Sequence, residues 1–115
     1  MAFDKTSKLQ GDDQAYTISD GIKKFSLRDV GFSEGKTGSF TLVRSLDPTS
    51  PYSATVELKV TVNADLTGFK MAAVAANGMR EVNIFKMERK DAFLEQFHYI
   101  MENLAEREII VPVEH

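Results

Sequence analysis

The stretch from Ala54 to Val62 alternates apolar and polar side chains at every position. Its apolar set is Val56, Leu58, Val60 and Val62, and its polar set is Thr55, Glu57, Lys59 and Thr61. Successive side chains of a strand point to opposite faces, so this period of two predicts a strand with one face in a core. A sheet is therefore the first element that this chain must build.

A second alternating stretch covers residues 39–46. Its two faces carry Phe40, Leu42 and Arg44 on one side and Thr41, Val43 and Ser45 on the other. Residues 47–51, with the sequence Asp-Pro-Thr-Ser-Pro, then predict a loop, because proline and small polar residues interrupt regular structure. The two stretches are therefore predicted to be separate strands.

The strongest hairpin signal is the dipeptide Asn77-Gly78, which stands between residues 69–76 and 79–87. Asn-Gly suits a two-residue type I′ turn, in which both central residues need positive φ. That turn fixes the register of the two strands. The predicted cross-strand pairs are Ala73–Val82, Met71–Ile84, Lys70–Phe85, Val74–Glu81 and Ala72–Asn83.

A long amphipathic helix is predicted over residues 91–107, with Asp91 as its N-cap. Its apolar stripe is Phe93, Phe97, Ile100 and Leu104, widened by Leu94, Met101 and Ala105. Its solvent side carries Asp91, Glu95, Glu102 and Glu106. Residues 109–111 then indicate a short strand or extended arm closed by Pro112.

The first third of the chain carries weaker signals. Tyr16–Ile18 and Ile22–Phe25 predict a hairpin around Asp20-Gly21. Ser26 and Asp29 then have capping-box spacing, which predicts one turn of helix with Gly31 just past its end. Phe32 is expected to pack back onto that turn.

Strands followed by one long helix indicate an α+β fold: a curved antiparallel sheet with the C-terminal helix packed on one face. At 115 residues the chain is expected to form a single domain over residues 1–115. It has no cysteine, which excludes disulfides, thiolate metal ligands and a cysteine nucleophile. We see neither a signal peptide nor a membrane span, so a cytoplasmic location is expected.

The formal net charge of −3 disfavours strong non-specific binding to nucleic acid. The charge is uneven, since residues 59–90 carry six basic and three acidic side chains, whereas residues 91–115 carry one basic and six acidic ones. Surface charges of this kind most often serve solubility. The distribution is consistent with a sheet segment and a helix segment that use different solubilising charges.

Recognised catalytic patterns are missing from the sequence. His98 lies three residues after Glu95 and four before Glu102, which is suitable for acid–base or metal chemistry. A closed zinc site needs about four ligands, and the only other histidine is His115, so we interpret His98 as a structural boundary residue. There is no Gly-x-Ser-x-Gly motif, and residues 31–38 miss the P-loop spacing because Val30 stands where that motif needs glycine. No cofactor or metal is expected.

A contact surface is the remaining functional hypothesis. Its candidate residues are Lys70, Arg80, Phe85, Lys86 and His98. Binding of RNA to a sheet face would need aromatic residues interleaved with basic ones, and this set comes closest to that pattern. A protein partner is the alternative occupant, and open sheet edges would allow a homodimer.

Three stretches carry a family resemblance: residues 24–33, residues 63–71, and residues 76–78 leading into Val82-Asn83-Ile84-Phe85. With the chain length and the C-terminal helix, they resemble a small uncharacterised family of lactic-acid bacteria and relatives, domain of unknown function number 1831. The resemblance covers nearly the whole chain. It implies no catalytic residue or cofactor, and it implies an α+β fold similar to the TATA-binding-protein type.

Three functional classes follow. The favoured one is a small non-catalytic interaction module. The second is an accessory to tRNA thiolation or to sulfur metabolism linked to cysteine desulfurase, which the resemblance implies through neighbouring genes. Because a sulfur carrier relays a persulfide on cysteine, a cysteine-free chain could only be an adaptor in that pathway. The third is an enzyme of unidentified type.

Overall fold

The computed structural model describes residues 4–46, 56–75, 80–88 and 90–113. The strands are β1 (Thr6–Ser7), β2 (Tyr16–Ile18), β3 (Ser33–Glu34), β4 (Phe40–Ser45), β5 (Val56–Val62), β6 (Phe69–Ala75) and β7 (Ile110–Pro112). The helices are α1 (Lys24–Val30), α2 (Lys90–Glu106) and a 3-10 helix over Ile84–Lys86. The fold is thus a mixed α and β architecture, and the predicted α+β class is confirmed.

One sheet has four antiparallel strands in the order β3-β4-β5-β6. The two alternating stretches of the sequence form its centre, where Phe40 pairs with Val62 and Leu42 with Val60. All four apolar residues of β5 are buried, as their period of two predicts. Both strand predictions are therefore confirmed.

The other sheet has three antiparallel strands in the order β1-β2-β7. Asp4 and Phe69 connect it to the first sheet through an isolated bridge, in which the Phe69 amide donates to the Asp4 carbonyl at 2.8 Å. The expectation of one sheet is therefore wrong. β1 and β2 are too short, at two and three residues, for their pairing to be visible as a period in the sequence.

The predicted hairpin holds only near its turn. Val74 bridges Glu81, and the Val82 amide donates to the Ala73 carbonyl at 2.8 Å, as the predicted register requires. Asn83 then ends the pairing, because its side chain accepts a hydrogen bond from the Phe85 amide at 3.0 Å and begins the 3-10 helix. The expected pairs Met71–Ile84, Lys70–Phe85 and Ala72–Asn83 are therefore wrong. The Asn77-Gly78 turn lies outside the described residues.

Helix α1 replaces a predicted strand. Residues 22–25 were expected to pair in a hairpin, but the helix already begins at Lys24 and buries Leu27 and Val30. Ser26 lies inside it, so the expected capping box is wrong. The end of the helix is confirmed: Gly31 has a φ of 110°, a left-handed conformation that glycine adopts without strain. Phe32 is buried and its amide donates to the Leu27 carbonyl at 3.0 Å.

Helix α2 and strand β7 complete the core. The helix buries Phe93, Phe97, Met101 and Leu104, while Ile100 is half-buried against the core. Phe97 meets the Tyr16 ring edge to face, with 5.9 Å between the ring centroids. α2 packs against β7 and the 3-10 helix, and the buried residues of both sheets and both α-helices form one cluster. In the described part of the chain, no helix has the length and apolar character needed to span a membrane.

Candidate functional site

The four-stranded sheet has a side that faces away from the core, and we call it the outer face. Its members are Thr41, Val43, Glu57, Lys59, Thr61, Lys70, Ala72 and Val74. The register places Thr41, Thr61 and Lys70 in one row and Val43, Lys59 and Ala72 in the next. These side chains point outward because the alternate residues of the same strands fill the core.

The outer face is polar and shallow. A depression of about 310 Å³ runs along β5 and β6. Its lining is Lys59, Thr61, Lys70, Met71, Ala72, Val74 and Glu81. Lys70 is exposed and Lys59 half-buried, whereas Thr61 and Val74 are buried. The face therefore offers two ammonium groups above a floor of small side chains, with the Glu81 carboxylate at one end.

The predicted contact residues occupy different parts of the molecule. Lys70 belongs to the outer face. Arg80 is exposed, and its carbonyl accepts a hydrogen bond from the Ala75 amide at 2.7 Å. Lys86 is exposed on the 3-10 helix, while Phe85 is half-buried and packs against the core. The Phe85 ring thus packs against the core. Phe85 lies in the 3-10 helix and does not pair with Lys70 across two strands.

His98 lies on the solvent side of α2. It is exposed, and its ring lies 5.5 Å from the Phe97 ring, centroid to centroid. With Glu95, Gln96, Tyr99 and Glu102 it borders an open depression of about 480 Å³. Among the residues that the structure describes, no three histidine, aspartate or glutamate side chains come together as a metal site.

Tyr16 is an ionisable residue whose pKa is shifted by its surroundings. Burial in the core raises the pKa of its phenol, and the negative charge of Asp12 raises it further. One Asp12 carboxylate oxygen accepts a hydrogen bond from the Gln14 amide at 3.0 Å. The Tyr16 ring is buried against Phe97, so the phenol is a core group rather than an exposed acid or base.

Residues 31–38 comprise β3 and the loop that connects it to β4. The Gly35 amide donates to the Ser39 carbonyl at 2.7 Å, and the Gly38 amide donates to the Gly35 carbonyl at 3.1 Å. Strand β4 follows this loop, whereas a phosphate-binding loop leads into a helix. The glycine-rich segment therefore forms a hairpin and not a phosphate-binding loop.

Sequence reasoning missed a cleft between the end of α1, strand β4 and helix α2. Its lining is Val30, Leu42, Arg44, Tyr99, Ile100, Asn103 and Leu104, around a volume of about 220 Å³. A signal was present, since Arg44 stands on the same strand face as Phe40 and Leu42. A guanidinium at an apolar position of a strand suggests a specific partner, and Arg44 donates a hydrogen bond to the Val30 carbonyl.

These features define a small α+β fold with two antiparallel sheets, and its depressions lie on the outer face and beside α2. The chain belongs to the DUF1831 family, whose model matches residues 1–111 and is described as "Putative amino acid metabolism". The family resemblance inferred from the sequence is thereby confirmed, and no specific function is assigned to the family.

A crystal structure of a DUF1831 family protein (lp2179) from Lactobacillus plantarum, at 1.20 Å resolution, is similar to this chain. The two share 50% sequence identity with a TM-score of 0.89, and the match covers 98% of this chain and 99% of that one. No curated protein matches the chain.

Proposed function

We propose that this protein is a non-catalytic interaction module that binds an acidic protein surface through its outer face. The observation that carries the proposal is the combination of Lys59, Lys70 and the exposed Val43 on one strand-paired surface. Val43 is 43% exposed although it is a large apolar side chain at the centre of a strand. Protein interfaces combine apolar contacts of this kind with a charged rim.

The charges favour a protein partner over RNA. Lys59 and Lys70 supply positive charge in the middle of the face, and Glu57 and Glu81 lie towards one end. RNA-binding sheets stack bases on aromatic side chains, and the outer face as defined has no aromatic member. An acidic protein surface would complement the lysines without needing stacking.

The shape of the surface supports binding rather than catalysis. Enzyme sites are concave and bring several polar groups together around a reacting atom. The depression on the outer face is shallow, and its polar groups are two lysines, a threonine and a glutamate spread over two strands and the bridge residue. This arrangement suits contact with another flat surface.

The family description directs the proposal to partners in amino acid metabolism. We infer a cytoplasmic role in which the module attaches to an enzyme of that metabolism. An adaptor in cysteine-desulfurase-linked sulfur transfer or tRNA thiolation is the specific form that the family resemblance implies. The absence of cysteine from the chain fits an adaptor and not a carrier. We also propose that the fold is similar to the TATA-binding-protein type, as the family resemblance implies. A similar fold does not imply DNA binding.

Charge reversal on the outer face tests the proposal. The tagged protein is purified from native cytoplasm with and without RNase, alongside the double variant Lys59→Glu/Lys70→Glu. The matched control is Lys24→Glu/Lys36→Glu, which makes the same charge change at exposed positions on α1 and the 31–38 loop. We expect an acidic protein to co-purify in stoichiometric amount with and without RNase. It should also co-purify with the control variant but not with the outer-face variant.

Three results would contradict the proposal: recovery of the bait alone, loss of every partner on RNase treatment, or retention of the partner by the outer-face variant. Because Lys59 is half-buried, the exposed single variant Lys70→Glu is run in parallel, and circular dichroism checks that each variant is folded. A single charge reversal in an interface is expected to weaken binding by about tenfold or more.

A further inference from the structure

The cleft beside Arg44 combines a charged group with an apolar floor. Four of its seven lining residues are aliphatic: Val30, Leu42, Ile100 and Leu104. The polar groups are the Arg44 guanidinium, the Tyr99 hydroxyl and the Asn103 amide. A small number of polar groups around an apolar lining is the usual composition of a small-molecule site.

The backbone of α1 holds the Arg44 guanidinium in place. One terminal nitrogen of the guanidinium donates to the Val30 carbonyl, at the end of the helix. The neighbouring Gly31 makes room, because a Cβ at that position would lie 3.0 Å from an Arg44 nitrogen. Arginine has five N–H donors in a planar fork, so the bond to Val30 leaves others for a ligand.

Helix α2 supplies the opposite wall. Tyr99 and Asn103 are four residues apart and therefore lie on one face of the helix. Both side chains are exposed and both can donate hydrogen bonds. The ion pairs within the described ranges are Arg28 with Glu34 and Arg107 with Asp29, and neither includes Arg44.

We propose that this cleft binds a small aliphatic carboxylate of amino-acid size. The carboxylate lies on the Arg44 guanidinium, with Asn103 and Tyr99 as further donors, and the aliphatic part covers Leu42 and Ile100. A volume of about 220 Å³ admits only a ligand of a few heavy atoms. Arginine matches the planar geometry of a carboxylate with two parallel hydrogen bonds. This site is separate from the outer face and does not depend on the proposed protein partner.

A neighbouring depression indicates whether the bound carboxylate would also carry an ammonium group. It has a volume of about 210 Å³, shares Tyr99 and Asn103 with the cleft, and adds Glu102 and Glu106. Tyr99 and Asn103 therefore border both the cleft that holds the Arg44 guanidinium of β4 and the depression that holds the two glutamate carboxylates of α2. An amino acid would place its carboxylate on the Arg44 side and its ammonium on the glutamate side.

Three small molecules with the branched side chain of leucine test the proposed carboxylate site. Each is titrated into the full chain, and the backbone amide shifts are followed by NMR. The three molecules are L-leucine, 4-methylpentanoate, which lacks the amino group, and 3-methylbutylamine, which lacks the carboxylate. We expect both carboxylates to shift the amides of residues 42–44 and 99–104 with a Kd of about 1 mM or tighter, as a fragment-sized ligand would. The amine should leave the amides of residues 42–44 unshifted, because it lacks the carboxylate that Arg44 would bind.

Tighter binding of L-leucine than of 4-methylpentanoate assigns the ligand as an amino acid, and equal binding assigns it as a simple carboxylate. Either result supports the site. Shifts of residues 42–44 with the amine equal to those with the carboxylates would overturn the role of Arg44, and the absence of cleft shifts with all three probes would overturn the proposal.

The variant Asn103→Asp places a negative charge in the cleft and leaves Arg44 in its contact with α1. We expect it to weaken carboxylate binding by about tenfold or more, because like charges repel across a short distance. Gln96→Glu is the matched control: it makes the same amide-to-carboxylate change on α2, beside His98 and outside the cleft. The same Kd for Asn103→Asp as for the unaltered chain would contradict the proposal.

Arg44→Lys gives an independent measurement. Lysine keeps the positive charge and loses the two-pronged geometry, so carboxylate binding should weaken while the titrated amides stay the same. Unchanged affinity in this folded variant would show that the guanidinium does not hold the ligand.

Discussion

At the scale of single residues, two polar side chains, Tyr16 and Arg44, join separate elements of the fold. Tyr16 is buried between the three-stranded sheet and α2, and its phenol stays protonated to higher pH in the folded protein than in the unfolded one. Arg44 is exposed although it shares a strand face with Phe40 and Leu42, and its guanidinium donates to the carbonyl of Val30, the last residue of α1. Both residues connect elements that are far apart in the sequence.

Tyr16 makes the stability of the protein sensitive to alkaline pH. The unfolded phenol loses its proton near pH 10, as a free tyrosine does, whereas the folded phenol keeps it. Unfolding therefore releases a proton above about pH 10, and the free energy of unfolding falls as the pH rises through the folded pKa. Denaturant titrations between about pH 8 and pH 11 should show a shallower fall for Tyr16→Phe than for the unaltered chain.

Phe40→Leu serves as the control for this effect. It alters a fully buried side chain of the core and removes no ionisable group, so the alkaline fall of the unaltered chain should remain. A Tyr16→Phe profile with the same alkaline fall as the unaltered chain would contradict the linkage between burial and proton release.

At the scale of elements, local side-chain bonds decide where regular pairing stops. The alternation of β6 and the Asn-Gly signal would allow a strand to continue beyond Val82. Asn83 instead caps the 3-10 helix with its side chain, and Gly11 packs so closely that a Cβ there would lie 2.6 Å from the Asn83 oxygen. Asn83 therefore marks the point where strand pairing with β6 ends and the 3-10 helix begins.

Loss of this cap should cost stability. Asn83→Ala removes the acceptor for the Phe85 amide, and we expect the free energy of unfolding to fall by about 1 kcal/mol, the usual effect of deleting an N-cap side chain. Asn103→Ala, at an exposed site on α2, should change it by less than about 0.5 kcal/mol. Equal values for the two variants in chemical denaturation would show that the cap contributes nothing.

The same elements show which parts of the fold a sequence can predict. β4, β5 and α2 have enough residues for their periods to be read, and each was predicted within two residues of its observed ends. Strand β2 is confirmed at Tyr16–Ile18, but its partners are β1 and β7 and not residues 22–25. β1 and the 3-10 helix are two and three residues long, and the cap of the 3-10 helix packs against the distant Gly11. Periodicity cannot report a partner that is distant in the sequence.

The candidate sites follow the same division. Lys70 could be placed on the outer face because the strand pattern determines which side it faces. The cleft could not be predicted, since it needs the end of α1, the edge of β4 and one face of α2 to meet. Arg44 was visible as a charged residue on an apolar strand face, yet only the fold shows that Val30, Tyr99 and Asn103 surround it.

At the scale of the whole molecule, one hydrophobic cluster serves both sheets. Phe97 is fully buried at the junction, where α2 meets Tyr16 of the three-stranded sheet. Leu58, on the four-stranded sheet, belongs to the same cluster. Among the described residues, the backbone hydrogen bonds between the two sheets are those of the Asp4–Phe69 bridge, so side-chain packing is expected to make their unfolding cooperative.

Truncation of Phe97 should therefore weaken both sheets together. Phe97→Ala leaves a cavity, and we expect the free energy of unfolding to fall by about 3 to 5 kcal/mol, a large part of the total for a domain of this size. Hydrogen exchange should become faster by similar factors for the amides of β2 and β5. Phe25→Ala, at a side chain that is 62% exposed, is the matched control and should cost less than about 0.5 kcal/mol.

Faster exchange in β2 alone would show that the sheets unfold separately, and the shared core would then not make them one cooperative unit.

Strand β2 lies between β1, which precedes it closely, and β7, which comes near the other end of the described chain. On a ribosome, β2 emerges before β7 and must wait for this second neighbour until residues 19–112 have been synthesised. In that interval the Tyr16 face of the strand lacks the packing of α2. The nascent chain therefore cannot complete its core as it is made, and we expect folding to occur mainly after α2 and β7 have left the exit tunnel.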